Sequence, residues 1–369
     1  MRVLITGARA PAALHLARLL HGAGHHVVMA DSLRHTVGEA SRACADFALL
    51  PAANGDSAAY RRAVHTAVAD HCIDMVIPTC EEVFHLASLW GDNAPKASLF
   101  APALPTLLAA HNKYAFIQTV KGLGLTAPET TLLTSQADLD AVRDRAADLV
   151  FKPVWSRFAT DVLIRPKRVK IIPTPMRPWV AQEFIQGDEI CVYALANQGR
   201  VMAQAAYHPA YRAGPGAGIG FAPVTDAGID DFVARFAEGT GWTGQLSFDL
   251  IRRANGTVLP LECNPRATSG IHFLRNSDGF ADALNGDVQV QPDVTTPQAV
   301  RLALLLYGPL QHPLRLWRDL WRMGDVMAWP GDPAPIWQQI PSTLELAAIA
   351  LRHRISLTRA ATHDISFDG

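Results

Sequence analysis

Long apolar runs are missing from this chain. None of its 369 residues lies in a stretch approaching the roughly 18 consecutive apolar positions that a membrane span needs. The opening MRVLITGARAP reads as a strand and a turn rather than a secretion leader. A cytoplasmic protein with no membrane partner is the expectation. Excess charge of either sign is missing too: the formal net charge is -1, with acids and bases interspersed, which removes the general electrostatic footprint for nucleic acid. Cysteine is scarce and odd in number. Cys44, Cys72, Cys80, Cys191 and Cys263 include no C-x-x-C pair, so neither a disulfide framework nor a zinc site is expected. A 49% hydrophobic and 18% charged composition excludes disorder, and the length allows two or three domains with small-molecule partners.

Glycine is absent where a dinucleotide site would want it. The strand RVLITG runs into Gly7-Ala8-Arg9-Ala10-Pro11, the place of a G-x-G-x-x-G fingerprint, but Arg9 and Ala12 replace its second and third glycines. Asp31 ends the second strand as a ribose-binding acid would, and equally as a cap or loop residue. An NAD(P)-dependent oxidoreductase is therefore kept as an alternative only. The first hundred residues otherwise alternate strands (RVLITG, HHVVMAD, IDMVIPT) with helical stretches (APAALHLARLLHGAG, SAAYRRAVHTAVADHC), the rhythm of a parallel sheet with crossover helices. Its third strand ends in PTCEEVFHL. Thr79, Cys80, Glu81 and Glu82 thus stand at the carboxyl edge, where open sheets meet ligands, although a helix cap followed by first-turn acids explains them equally well.

What is present beyond that region is a set of marked charges. Lys113 opens the helix HNKYAFIQTVKGLGL, and Lys152 sits inside the apolar strand LVFKPV, where an ammonium is costly unless an anion meets it. QLSFDLIRRANGTVLPLECNPR reads as a hairpin around Asn255-Gly256. Its first strand carries Asp249. On its second, Glu262 and Asn264 share a face because they are two apart. Two carboxylates and an amide oxygen suit magnesium or manganese, and Arg266 follows just beyond. Alone, E-x-N-P is also an ordinary turn opening; two lysines upstream make it half of a phosphate site.

These motifs, in this order over residues 1 to 290, resemble the ATP-grasp enzymes: HNKYAF, FKPV, QEFIQGDE, SFDLI and LECNPR. The resemblance implies an α/β ATP-grasp fold. A Rossmann-like pre-ATP-grasp domain would span 1–110 and the ATP-grasp domain 111–290, with a small central lobe at about 117–185. It further implies that Lys113 and Lys152 hold ATP phosphates, that the backbone of Glu183, Phe184 and Ile185 meets the adenine, and that Glu189 takes the ribose. Asp249, Glu262 and Asn264 would ligate Mg2+ (or Mn2+), with Arg266 and Lys152 as catalytic groups. One departure stands out: the loop after Lys-Pro reads VWSRFATDV, without the family's glycines, so Ser156, Arg157 and Thr160 would supply its phosphate contacts. The implied activity is an ATP-dependent carboxylate-amine (or carboxylate-thiol) ligase acting through an acyl phosphate. A non-catalytic nucleotide-binding protein is an alternative, and a biotin-carboxylase-like role would need a carrier supplied separately.

The substrate side is read from scattered residues. Glu81, Glu82, Tyr207, His208, Arg212, Ser269 and His272 are candidates for the acid and amine partners. Gly214, Gly216, Gly218 and Gly220 suggest a flexible lid or a long connection. Residues 291–369 form a tryptophan-rich helical extension. Trp317 and Trp321, at i and i+4, suggest a buried core stripe, an interface, or an aromatic lid. The apolar helices of the pre-ATP-grasp domain admit a homodimer.

Overall fold

A computed structural model describes residues 1–91, 94–156, 161–214 and 216–367, with nothing taken from the side chain of Leu310. The N-terminal strands β1 (Arg2–Thr6), β2 (His26–Asp31), β3 (Asp46–Leu49), β4 (Met75–Ile77) and β5 (Ser98–Leu99) form a parallel sheet in the order β3-β2-β1-β4-β5. Helices α1 (Pro11–Gly22), α2 (Ser57–Asp70) and α3 (Glu82–Leu89) supply its crossovers, followed by α4 (Leu104–His111) and α5 (Lys113–Gly122). Proline at the first turn of α1 and the Asp56 carboxylate on the Ala58 and Ala59 amides of α2 fix the starts of those helices.

A four-stranded sheet follows, ordered β6-β9-β7-β8, from β6 (Thr130–Leu133), β7 (Leu149–Pro153), β8 (Leu163–Ile164) and β9 (Trp179–Glu183), with α6 (Gln136–Val142) packed on it. The third sheet has seven strands, ordered β14-β13-β10-β11-β12-β15-β16. These are β10 (Asp188–Asn197), β11 (Arg200–Ala213), β12 (Ala217–Val224), β13 (Gly244–Arg252), β14 (Val258–Asn264), β15 (Gln298–Ala299) and β16 (Gly324–Asp325). Helix α7 (Ala227–Thr240) covers one face with Phe232 and Phe236, joined by Trp242 just beyond its end. Helix α8 (Ser277–Asn285) and the turn Ser269–Phe273 cover the other.

Helix α1 is buried from Ala13 to Leu20, because it lies between the parallel sheet and this second layer; its Leu16 and Leu20 share one core with Val3, Ile5, Tyr193, Leu195 and Ile271. The chain ends in α9 (Arg301–Gln311), α10 (Pro313–Arg322), α11 (Ala334–His353) and α12 (Leu357–Ala360). This segment folds back on the first domain: the Arg18 guanidinium on α1 meets Asp332 at 2.8 Å, both buried.

Two expectations are corrected here. Gly218 and Gly220 are no loose lid but lie inside β12, paired with Arg212 and Tyr211. A side chain at Gly220 would come within 3.0 Å of the Tyr211 ring and 3.1 Å of Met323, so close packing, not flexibility, calls for glycine there. The tryptophans are no buried stripe: Trp317 and Trp321 are 72% and 88% exposed and Trp337 71%. Trp329 alone of the four joins the core, against α1. Among the described residues no helix is long and apolar enough to cross a membrane.

Candidate functional site

The hairpin β13–β14 is turned at Asn255-Gly256, with Gly256 at φ +84° and the Asn255 side chain accepting from the Thr257 amide. Register pairs Ser247 with Asn264 and Asp249 with Glu262, then slips so that Leu250 faces Pro260. Leu261 is the extra residue of that bulge. Its carbonyl accepts from Lys152 Nζ at 3.4 Å, so the irregularity brings a lysine of β7 onto the hairpin. Phe248 and Cys263 point the other way into the core, which leaves the two carboxylates and the amide on one face. The same face continues across the sheet, since Cys191 on β10 pairs with Asp249 and Tyr207 on β11 pairs with Cys191.

Lys113 reaches this face from the first turn of α5. Asn112 caps that helix by accepting from the Tyr114 and Ala115 amides, and the Lys113 amide donates to the Val154 carbonyl at the end of β7. The buried ammonium then lies 3.2 Å from Glu262 Oε2 and 2.8 Å from the Ser156 carbonyl. Burial holds Lys152 down at about 8 despite the neighbouring Glu262 carboxylate, with Lys113 repelling it further. Asp249 and Glu262 share a hydrogen bond and split apart. Burial and the adjacent Glu262 push Asp249 up, whereas Lys113 and Lys152 more than offset the burial of Glu262 and hold it down.

Asn264 Nδ2 donates to Asp249 at 3.4 Å, and its Oδ1 lies 3.5 Å from the Arg266 guanidinium. Turning this amide over would aim its oxygen at the carboxylates and its NH2 away from them. Crowded, half-buried carboxylates flanked by buried lysines fit a divalent cation with a phosphate-bearing ligand: hard oxygens take the one, ammonium groups the other. Among the described residues no three or more His, Cys, Asp or Glu are arranged so that they could hold a metal ion by themselves.

The remaining predicted positions are spread around this face. Glu183, the last residue of β9, is held at 2.6 Å by Arg253; beyond it Phe184 lies under the Arg165 guanidinium and Ile185 is buried. The Glu189 carboxylate is bound by Arg212, while His208 engages the Glu189 carbonyl at 2.8 Å. Tyr207 is buried, with Thr268 and Ser269 near its hydroxyl. His272 is sealed in the core edge-on to His15, away from any opening. Glu81 and Glu82 are buried at the carboxyl edge of the parallel sheet. Arg157 and Thr160 lie outside the described residues. Sequence reading missed Cys191 as the neighbour of Asp249, and no local signal marks it. It also missed what Arg9 does, although an arginine in place of a glycine was the clue.

No family profile matches the sequence, and no curated protein does. Solved structures do. One is N5-carboxyaminoimidazole synthetase from Staphylococcus aureus, at 12% identity over 85% of this chain and 86% of that one, with a TM-score of 0.62. Another is L-amino acid ligase from Bacillus licheniformis, at 16% identity over 80% and 79%, with a TM-score of 0.60. A third is the biotin carboxylase domain dimer of Hydrogenobacter thermophilus 2-oxoglutarate carboxylase in complex with MgADP, ADP and bicarbonate, at 11% identity over 80% and 73%, with a TM-score of 0.60. The chain has the ATP-grasp fold. In ATP-grasp terms the parallel sheet precedes the four-stranded sheet, and the charged face described above lies where β7 of the latter meets the β13–β14 hairpin of the seven-stranded sheet.

Proposed function

We propose that this protein is an ATP-dependent ligase that activates a small carboxylic acid as an acyl phosphate and passes the acyl group to an amine, or to a thiol. The observation that carries the reading is the convergence of Lys113 and Lys152 on Glu262 and Asp249, with Arg266 one turn away. Lys113, Lys152 and Arg266 hold the transferring phosphoryl group and offset the charge shared between the attacking carboxylate and departing ADP. Asp249, Glu262 and Asn264 hold Mg2+, or Mn2+, which when bound neutralises phosphate oxygens. The segment Glu183–Ile185 takes the adenine and Glu189 the ribose, after its pairing with Arg212 yields. Ser156 and Arg157 stand in for the family's glycine-rich backbone.

One observation weighs against the oxidoreductase alternative. Arg9, where a second glycine would admit pyrophosphate, is bonded to Asp31, and the cavity there encloses about 20 Å3, roughly the space of one water. A homodimer remains part of the proposal, through α11. Trp337, Ile340, Leu344 and Leu351 are all exposed and recur at intervals of three, four and seven, the a/d seam of paired helices. With roughly 150–250 Å2 for the tryptophan alone, two such seams approach the roughly 1,000 Å2 that a specific interface needs.

The deciding experiment is an ADP-release screen with Mg-ATP and small carboxylates and amines, alone and in pairs, with mass analysis of products. ATP binding without ADP release from any pair would favour a non-catalytic nucleotide-binding protein.

A further inference from the structure

At the carboxyl edge of the parallel sheet, Arg9 is built into a carboxylate clamp whose second jaw belongs to the C-terminal tail. The guanidinium is almost wholly buried. On one side it meets Asp31, through Nε at 3.0 Å and the Arg9 amide at 2.9 Å. On the other it makes two parallel bonds, Nη1 to Asp364 Oδ1 at 2.6 Å and Nη2 to Asp364 Oδ2 at 2.7 Å, the fork-on-fork geometry by which arginine recognises any carboxylate. The Ser32 hydroxyl bonds the same Asp364 and accepts from Arg9 at 2.7 Å. Asp364 belongs to no helix or strand. It follows α12 in a tail held by Asn54, whose side chain donates to the His363 carbonyl at 2.7 Å and whose amide donates to the Asp364 carbonyl.

Beside this clamp lies the small cavity already noted, lined by Thr6, Gly7, Arg9, Tyr60, Glu82 and Ile365 among others. Glu82 is 3% exposed. Its Oε1 accepts three bonds, from the Thr6 hydroxyl at 2.6 Å and the Thr79 and Cys80 amides at 3.1 Å. Its Oε2 is buried with no hydrogen-bond partner among the described residues. An orphaned carboxylate oxygen in such a place is costly, and a bound ammonium would relieve it. One cavity is thus lined both by the arginine of the clamp and by a glutamate with an unsatisfied carboxylate oxygen.

We infer that this is a subsite for the zwitterion of an α-amino acid, its carboxylate on Arg9 and its ammonium on Glu82, and that Asp364 occupies the carboxylate position until the amino acid displaces the tail. Ile365, next to Asp364 in the same tail, lines the cavity, so displacing the tail would enlarge it. As nucleophile for acyl transfer, the amino acid's role rests on the ligase reading; its binding does not.

The test is calorimetric titration of the full chain with each common L-amino acid, and with the descarboxy amine and desamino acid of any that binds. Asp364→Ala removes the competing carboxylate and is expected to tighten amino-acid binding about tenfold or more, by raising the fraction of open sites, while the descarboxy amine gains nothing. Asp364→Asn, which keeps the tail's shape, is expected to give a smaller gain and covers the case of a misfolded alanine variant. No binding of any amino acid to folded Asp364→Asn or Asp364→Ala protein, or an equal gain for the descarboxy amine, overturns the subsite. Tightened binding with no ADP release from Mg-ATP when the bound amino acid is paired with each of the screened carboxylic acids leaves the subsite standing and sinks the ligase reading.

Discussion

The Lys113 ammonium lies 3.2 Å from the Glu262 carboxylate, in a place where only 4% of the lysine side chain and 24% of the glutamate are exposed. Neither charge would be tolerated there alone. In the free protein each is the other's counter-ion, with Lys152 close by; with nucleotide and metal bound, the phosphates would take over the lysines and the cation would take over the glutamate. The pair is a resting arrangement of groups whose working partners come from solution.

Glu262→Gln is therefore expected to act twice. It leaves two buried ammonium groups facing a neutral amide, which should cost roughly 3 kcal/mol, at the low end for a broken buried pair because the glutamate is partly solvated. It should also lower substrate-dependent ADP release by at least about 10²-fold. Urea denaturation and an ADP assay check the two halves separately, and near-normal turnover would refute the metal and phosphate assignment.

Asp249→Asn should behave differently although its side chain touches the same glutamate. Burial and Glu262 already push the Asp249 carboxyl up, so an amide resembles the protonated form that it favours. The folded protein is expected to keep its melting temperature or gain a little, while Mg2+-dependent ADP release is lost. A large drop in melting temperature, or retained activity, counts against the arrangement.

Much of this face could be read from residue order. Alternation in LPLECN places Glu262 with Asn264, Asn255-Gly256 turns the hairpin, and apolar strands with intervening helices give the parallel sheet. The slip at Leu261, which lets Lys152 reach a β14 carbonyl, could not be read, because a bulge changes pairing without changing the apolar pattern. Short edge strands such as Ser98–Leu99 carry too few residues to show a period. The Arg9–Asp364 clamp joins positions 355 apart, and no local rule reaches that far. Exposure of Trp317 and Trp321 escaped for a related reason: spacing on a helix says which residues share a face, not whether another element covers it.

Helix α11 gives a prediction about assembly. If its exposed seam pairs two copies, Leu344→Glu sets two carboxylates against each other in the middle of the interface, and sedimentation should show a concentration-dependent dimer of the natural protein but a monomer of the variant. The melting temperature of the monomer should change little, since Leu344 is 65% exposed in the single chain. A natural protein that stays monomeric at 100 times the assay concentration would remove the dimer from the proposal.

Acid should loosen the fold through two core histidines. His15 and His272 stack edge-on at 4.9 Å, both sealed from solvent. Burial lowers His15 to about 3, with Arg275 and Arg18 adding to the effect against the bond to the Leu274 carbonyl. Burial, then His15 and the same two arginines, lowers His272 as well. The unfolded chain takes up these protons near its ordinary value of about 6.5, while the folded one does not. Stability from the pair is thus complete above about pH 6.5 and falls as pH drops below it, by up to about 1.4 kcal/mol per pH unit for each histidine. Unfolding by urea at pH 7.5 and pH 5.0 should show that slope, and a His15→Gln, His272→Gln double variant should lose most of it. An unchanged slope in the double variant would place the acid sensitivity elsewhere.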